Sequence, residues 1–233
     1  MSMLSNVTPT QKVYEVKLLK DKVKFRPFTV KEEKNILIAM QDNTDNQMLQ
    51  LKETLKYCTF GKVDIDNLTV AEIEMLFVSI RNKSLGETMD VVSSCKKCDA
   101  KNKKTLNLEN IELFEPPKVA PEIQLDGNLW VVMRYPNFEA SYKMMEKQSD
   151  DAVIEMIASS LVSVISDDEQ IDCANEKLSD KIDFVEKLTH SQLEQINAFL
   201  QSAPTIKFTD SYVCKSCGET NEITLEGLQN FFG

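Results

Sequence analysis

The chain has 233 residues, 42% of them hydrophobic, enough to bury one large core or a smaller core plus a module, and wholesale disorder is excluded. Its 27 Lys and Arg against 37 Asp and Glu leave a net charge of −10, the wrong sign overall for a polyphosphate binder. The single histidine, His190, argues against two-His zinc proteases and against Ser-His-Asp triads away from that position, and the six glycines fit neither the G-x-G-x-x-G nor the G-x-x-x-x-G-K spacing.

Residues Lys12 to Phe25 alternate as a strand pair, with Tyr14, Val16 and Leu18 before a Lys20-Asp21 turn and Val23 and Phe25 after it. Pro27 ends the pair. Thr29 and Glu32 then form a capping box, and Ile36, Leu37 and Met40 give the helix that follows an apolar stripe. Asn43 to Asn46 is a polar break before a second helix through Met48, Leu49, Leu51 and Leu55. A third helix opens on the Thr69/Glu72 box, carries Val70, Ile73, Phe77 and Ile80 at helical spacing, and stops at Gly86, which suits a left-handed cap.

Extended residues Met89 and Val91 lead into Cys95-Lys96-Lys97-Cys98. Pro116, Pro117 and Pro121 predict a linker or an edge, and Ile123, Leu125, Asp126-Gly127, Leu129, Val131 and Met133 predict a hairpin that carries the only tryptophan, Trp130. The spacing then predicts helices over Phe138 to Lys147, Ala152 to Ile165, Lys181 to Leu188 and Gln192 to Leu200, the last boxed by Thr189 and ended by Pro204. A strand through Ile206, Phe208 and Tyr212 enters Cys214-Lys215-Ser216-Cys217, with Ile223 and Leu225 on the return. Beyond the cysteine pairs, no internal repeat stands out.

Met1 to Thr10 lack a basic segment followed by an apolar core, so no secretory signal is expected. The longest apolar stretch, Ala152 to Ile165, is 14 residues, short of the roughly 20 that span a bilayer. A soluble protein of a reducing cytosol is therefore expected, in which six cysteines are thiols or metal ligands rather than a disulfide framework.

Each C-x-x-C pair lies between two strand-like runs, the layout of a zinc ribbon in which two knuckles place four thiolates around one ion. Cys95, Cys98, Cys214 and Cys217 are therefore the expected ligands of one structural Zn²⁺, with no open position for catalysis. Gly218 and Asp99 come directly after the two pairs, where the backbone needs a residue that tolerates left-handed angles. Lys96, Lys97, Lys101, Lys103, Lys104 and Lys215 crowd the knuckles, where cations would offset the cluster's net −2 and lower the thiol pKa values. The separation is unusual: 115 residues lie between Cys98 and Cys214, against roughly 15–20 in an ordinary ribbon, so the metal would close a long loop.

Two independent redox pairs or a labile disulfide are the alternatives, although neither pair sits between a strand and a helix in a βαβ unit. A nucleic-acid-binding zinc ribbon is another, supported by the lysines and opposed by the net charge and the lack of interleaved aromatics. Cys58 and Cys173 read as small buried apolar groups, and His190 as an exposed first-turn residue. Asp167-Asp168-Glu169 reads as a solvated turn, and Asp150-Asp151 as a helix start.

Three stretches carry a family resemblance: Phe25-Arg26-Pro27-Phe28-Thr29-Val30-Lys31-Glu32-Glu33-Lys34, the Leu68-Thr69 helix running into Cys95-x-x-Cys98, and Cys214-x-x-Cys217-Gly218 through Leu225-Glu226-Gly227-Leu228-Gln229-Asn230-Phe231-Phe232. Together they resemble the baseplate hub assembly proteins of T4-like tailed bacteriophages. The resemblance implies a late, non-enzymatic assembly factor that builds the central hub of the tail baseplate, with hub or tape-measure proteins as partners. With a net charge of −10 and no apolar stretch long enough to cross a bilayer, no nucleic-acid partner and no membrane span are expected. The expected location is the host cytoplasm during assembly, with the virion tail baseplate as the second place. Phe231 and Phe232 have two readings: they engage a hub or tape-measure partner, or they plug the core beside the ribbon.

The fold class expected is α+β, mostly helical: a helical body with short β-hairpins and a split zinc-ribbon-like module formed by the two distant C-x-x-C knuckles. Residues 1–86 would form an N-terminal hairpin plus helices, 87–110 and 204–233 the split module, and 111–203 an inserted hairpin and helical subdomain.

Overall fold

A computed structural model describes residues 10–41, 46–109, 111, 113–114, 119–167 and 169–227. The chain divides into two compact units, the first made of 1–65, 72–113 and 206–233 and the second of 66–71 and 114–205.

The first unit begins with β1 (Tyr14–Lys17) and β2 (Lys22–Phe25), paired antiparallel with Tyr14 opposite Phe25 and closed by Leu18 N–H donating to Asp21 O at 2.8 Å. Val23 and Phe25 on alternate positions are buried, as period-two patterning requires. Helix α1 (Val30–Gln41) starts on the predicted box: Thr29 N–H donates to Glu32 Oε2 at 2.7 Å, and Glu32 N–H to Thr29 Oγ1 at 3.4 Å. Its buried stripe is Ile36 and Ala39, whereas Leu37 is exposed. Helix α2 (Asn46–Cys58) buries Leu51, Leu55 and Cys58 and ends in a left-handed pair, Phe60 and Gly61. The predicted break at Asn43 to Asn46 falls, up to residue 45, outside the described residues.

Helix α3 (Val70–Leu85) is nearly all buried from Ala71 to Val78, with Ile73, Leu76, Phe77 and Ile80 among the most enclosed side chains. Its last turns grip the adjoining chain. Arg81 donates to Gly86 O at 2.6 Å and to Thr88 O at 3.2 Å, and Asn82 Nδ2 donates to Leu108 O at 2.7 Å. Those bonds anchor both ends of a hairpin, β3 (Thr88–Ser94) and β4 (Lys101–Asn107), with Thr88 opposite Asn107 and Ser94 opposite Lys101.

The next strands are β5 (Leu113–Phe114) and, in the second unit, β6 (Glu122–Asp126) and β7 (Leu129–Met133). Helices α4 (Phe138–Lys147) and α5 (Asp150–Ser159) come next, then β8 (Leu161–Ser166), β9 (Glu169–Asp172), α6 (Leu178–Val185) and α7 (His190–Gln201). The sheet order is β6-β7-β8-β9, all antiparallel. Ile123, Leu125, Val131, Met133, Leu161 and Val164 from the sheet pack with Ile157, Val185, Ile196 and Phe199 from the helices. Asn137, Ser149 and Thr189 each accept an N–H at a helix start, and Thr189 with Gln192 completes the predicted box. Two long strands, β10 (Thr205–Val213) and β11 (Thr220–Glu226), end the described chain as a hairpin, bordered on the β10 side by β5.

The mostly helical expectation is corrected. The described residues are 40% helical and 30% strand, in four small antiparallel sheets, so the fold is mixed α+β without a dominant helical body. The largest single cause is the stretch read as one helix, Ala152 to Ile165. Ser159 Oγ and Ser160 Oγ both donate to Met156 O at 2.8 Å, which closes α5, and the β-branched run Val162, Val164, Ile165 continues as β8. Glu169, read as part of a solvated turn, opens β9; Asp168 lies outside the described residues. The split zinc-ribbon-like module is corrected as well: the two cysteine-bearing hairpins belong to separate sheets, β3-β4 and β11-β10-β5. Pro116, Pro117, Phe231 and Phe232 lie outside the described residues, so the readings placed on them stay with the sequence.

Candidate metal centre

The four cysteines sit at the tips of the two hairpins of the first unit. At the first tip Cys95 N–H donates to Ala100 O at 3.0 Å and Asp99 N–H to Cys95 O at 2.9 Å; at the second, Cys214 N–H donates to Glu219 O at 2.8 Å and Gly218 N–H to Cys214 O at 3.0 Å. The same loop is thus built twice. Asp99 and Gly218, the residues after each pair, both take positive φ, 56° and 74°. Within each loop an amide turns inward onto sulfur: Lys97 N–H donates to Cys95 Sγ and Ser216 N–H to Cys214 Sγ, each at 3.4 Å.

Two asparagines join the loops. Asn102, on β4, accepts Lys215 N–H at 3.0 Å and donates from Nδ2 to Cys214 Sγ at 3.5 Å. Asn221, on β11, accepts Lys96 N–H at 2.9 Å and donates to Cys95 Sγ at 3.4 Å. Each carboxamide therefore serves the opposite loop, and both are buried.

All four Sγ atoms lie within 4.8 Å of one another, with Cys95–Cys217 and Cys98–Cys214 at 3.7 Å. A disulfide needs about 2.05 Å. Four sulfurs on a tetrahedron with bonds of about 2.3 Å to one ion would stand about 3.8 Å apart, so the spacing fits a thiophilic cation. The donor chemistry agrees. The N–H groups of Cys217 and Ser216, helped by Asn102, hold the Cys214 thiol down at about 6. Lys97 N–H, with Cys98 N–H and Asn221, holds Cys95 below the usual thiol range against the burial that raises it. Ala100 N–H favours the Cys98 thiolate, yet the crowding thiols of Cys217, Cys214 and Cys95 push Cys98 up to about 12. Not all four thiols can ionise by themselves; a divalent cation supplies the charge that lets them.

A family model described as T4 bacteriophage base plate protein matches residues 9–233, nearly the whole chain. The chain belongs to that family. Its role is accordingly a structural or assembly one connected with the phage baseplate. No curated protein and no solved structure matches it. Among the described residues no helix is long and apolar enough to cross a membrane.

The other residues singled out in the sequence stand apart from this centre. Cys58 is buried against Arg26, whose Nη1 is 3.8 Å from its sulfur, and burial pushes its thiol up to about 12. Cys173 is buried in the second unit's core, and His190 is an exposed first-turn residue 3.4 Å from Glu194. The lysine cluster is only partly free to face the sulfurs: Lys97 pairs with Glu219 and Lys104 with Asp210, each at 3.0 Å. Asn102 and Asn221 escaped the sequence reading, though a signal was there. The repeat is longer than the cysteine pairs, running Cys-Lys-x-Cys-x-x-x-Asn-x-x-Thr-Leu at both 95–106 and 214–225.

Proposed function

We propose that this family member is a non-enzymatic assembly factor for the central hub of the tail baseplate, and that Cys95, Cys98, Cys214 and Cys217 hold one structural Zn²⁺ ion. The observation that carries the baseplate reading is the family match over residues 9–233. The hub assignment adds the three stretches from Phe25 to Phe232 that resemble hub assembly proteins, and the zinc reading adds four sulfurs close enough for one ion. When bound, Zn²⁺ offsets half the charge of the four thiolates and supplies a cross-link between segments that are far apart in the chain. The residues of this chain do the rest: the backbone amides turn onto sulfur, and the asparagines bridge the loops.

Hub or tape-measure proteins are the proposed partners, met in the host cytoplasm during assembly. A tagged copy recovered from infected cells should carry hub or tape-measure proteins with it; recovery solely with outer baseplate or capsid proteins sinks the hub assignment. Elemental analysis of the same material should find one zinc per chain. With Lys97 and Lys104 paired to acids, no nucleic-acid partner is proposed, and a low-salt binding assay should show none of the steep salt dependence that phosphate contacts produce.

A further inference from the structure

From the reciprocal asparagines we infer that Asn102 and Asn221 are the positioning residues of the four-cysteine centre: each stabilises a thiolate on the opposite hairpin and so sets how tightly the centre keeps its cation. This rests on the metal reading of the four sulfurs. The geometry is specific in three ways. Both side chains are buried, 3% and 5% exposed, so their polar atoms must find partners inside the protein. Each uses both ends of its carboxamide across the gap, the oxygen on a backbone N–H and the nitrogen on sulfur. And each sits at the same place in a repeat, four residues after the second cysteine of its own loop.

The chemistry is set by these contacts. An N–H donated to a thiolate spreads its charge and favours the ionised form that binds metal. Cys95 and Cys214, the two sulfurs that receive an asparagine N–H, are also the buried ones, while Cys98 and Cys217 are exposed. Water can solvate the outer pair of thiolates. The inner pair depends on the protein, and the asparagines supply side-chain donors at that point.

The test uses the full chain loaded with Co²⁺, whose thiolate charge-transfer absorption reports the sulfurs directly, in competition with a chelator. Asn102→Ala and Asn221→Ala should each weaken cation binding about 10–100-fold and move the charge-transfer band to lower energy. Asn102→Asp separates the two ends of the side chain. It keeps an oxygen to accept Lys215 N–H but sets a carboxylate oxygen against Cys214, so it should bind no better than Asn102→Ala. Thr59→Ala, which deletes a buried hydroxyl bond to Leu55 O at 2.8 Å elsewhere in the unit, controls for general loosening and should leave both readouts unchanged. Wild-type affinity or an unshifted band in the alanine variants overturns the inference. So does full rescue by Asn102→Asp, or equal weakening by Thr59→Ala. A wild-type chain that takes up no Co²⁺ instead overturns the metal reading itself.

Discussion

The two units each bury apolar side chains but differ in what secures their strands. In the second, side chains from three strands and three helices close over one apolar cluster, with Val131, Ile157 and Ile196 wholly enclosed. In the first, the hairpin that carries Cys95 and Cys98 buries little: β3 encloses only Met89 of its seven residues, and β4 only Asn102 and Leu106. A two-stranded hairpin with so little apolar surface is marginal by itself. Bonds from α3 at the base and the four-cysteine centre at the tip supply what a core supplies elsewhere. A sheet can thus be secured by area or by a tie between distant points, and each leaves a different weakness.

The tie should give the largest effect. Apparent binding energies of structural zinc in small domains are about 10–16 kcal/mol, and here that energy would be drawn from the hairpins. Stripping the metal with a chelator should therefore expose the amides of 88–94, 101–107, 205–213 and 220–226 to hydrogen exchange. Trp130 emission, which reports the second unit's sheet, should not change. If the hairpin amides stayed protected after complete removal, both regions would be held by packing and the contrast would be gone.

The reciprocal experiment is next in size. Phe199 is buried and stacks on Tyr135 with ring centroids 4.8 Å apart and planes 7° from parallel. Phe199→Ala should destabilise the second unit by about 3–5 kcal/mol, read from Trp130 emission in urea. Metal affinity should stay at the wild-type value, because the sulfurs are held by other residues.

The same contrast explains what could be read in advance. Elements whose pattern is local were legible: the β1–β2 alternation, the Thr29 and Thr189 boxes, α3, and the hairpin around Gly127. The meeting of the two cysteine pairs was legible from C-x-x-C between strands, a spacing that suits shared ligation. What failed was Ala152 to Ile165, where an unbroken apolar run suits a helix and a buried strand equally; only the serine back-bonds at Met156 decide where one becomes the other. Asn102 and Asn221 failed for a different reason. An asparagine is ordinary in a turn, and although the repeat marks both positions, the partners each one serves appear when the opposite hairpin arrives beside it.

A charge pair in the first unit is a third kind of bond, and it responds to pH. Arg26 grips Glu32 with both nitrogens at 2.7 and 2.9 Å. Burial raises the Glu32 pKa, but the hydrogen bonds from Arg26 and Thr29 outweigh it and hold the carboxyl below the usual range. With the folded pKa below the unfolded one, the pair's contribution is full above about 4.3 and is lost as the pH falls through the folded value. Glu32→Gln should cost about 1.5 kcal/mol at neutral pH by urea unfolding followed with circular dichroism. That difference from wild type should shrink as the medium is acidified below about 4.3; a difference independent of pH would mean the packing, not the charge, matters.

The smallest effect bears most closely on the tie. Lys104 on β4 reaches Asp210 on β10 at 3.0 Å and donates also to Ser211 O at 3.0 Å, so a second link joins the hairpins away from the sulfurs. Both side chains are about a third exposed, and pairs of that kind contribute about 0.2–1 kcal/mol. A double-mutant cycle with Lys104→Ala and Asp210→Ala should return a coupling in that range in the metal-loaded chain, where the hairpins are already held in register. In the stripped chain the same cycle should give nothing, since the pair is too weak to bring the strands together unaided. A coupling that persists without metal would show the hairpins meeting on their own, and the cysteines would then decorate an interface that other residues had already made.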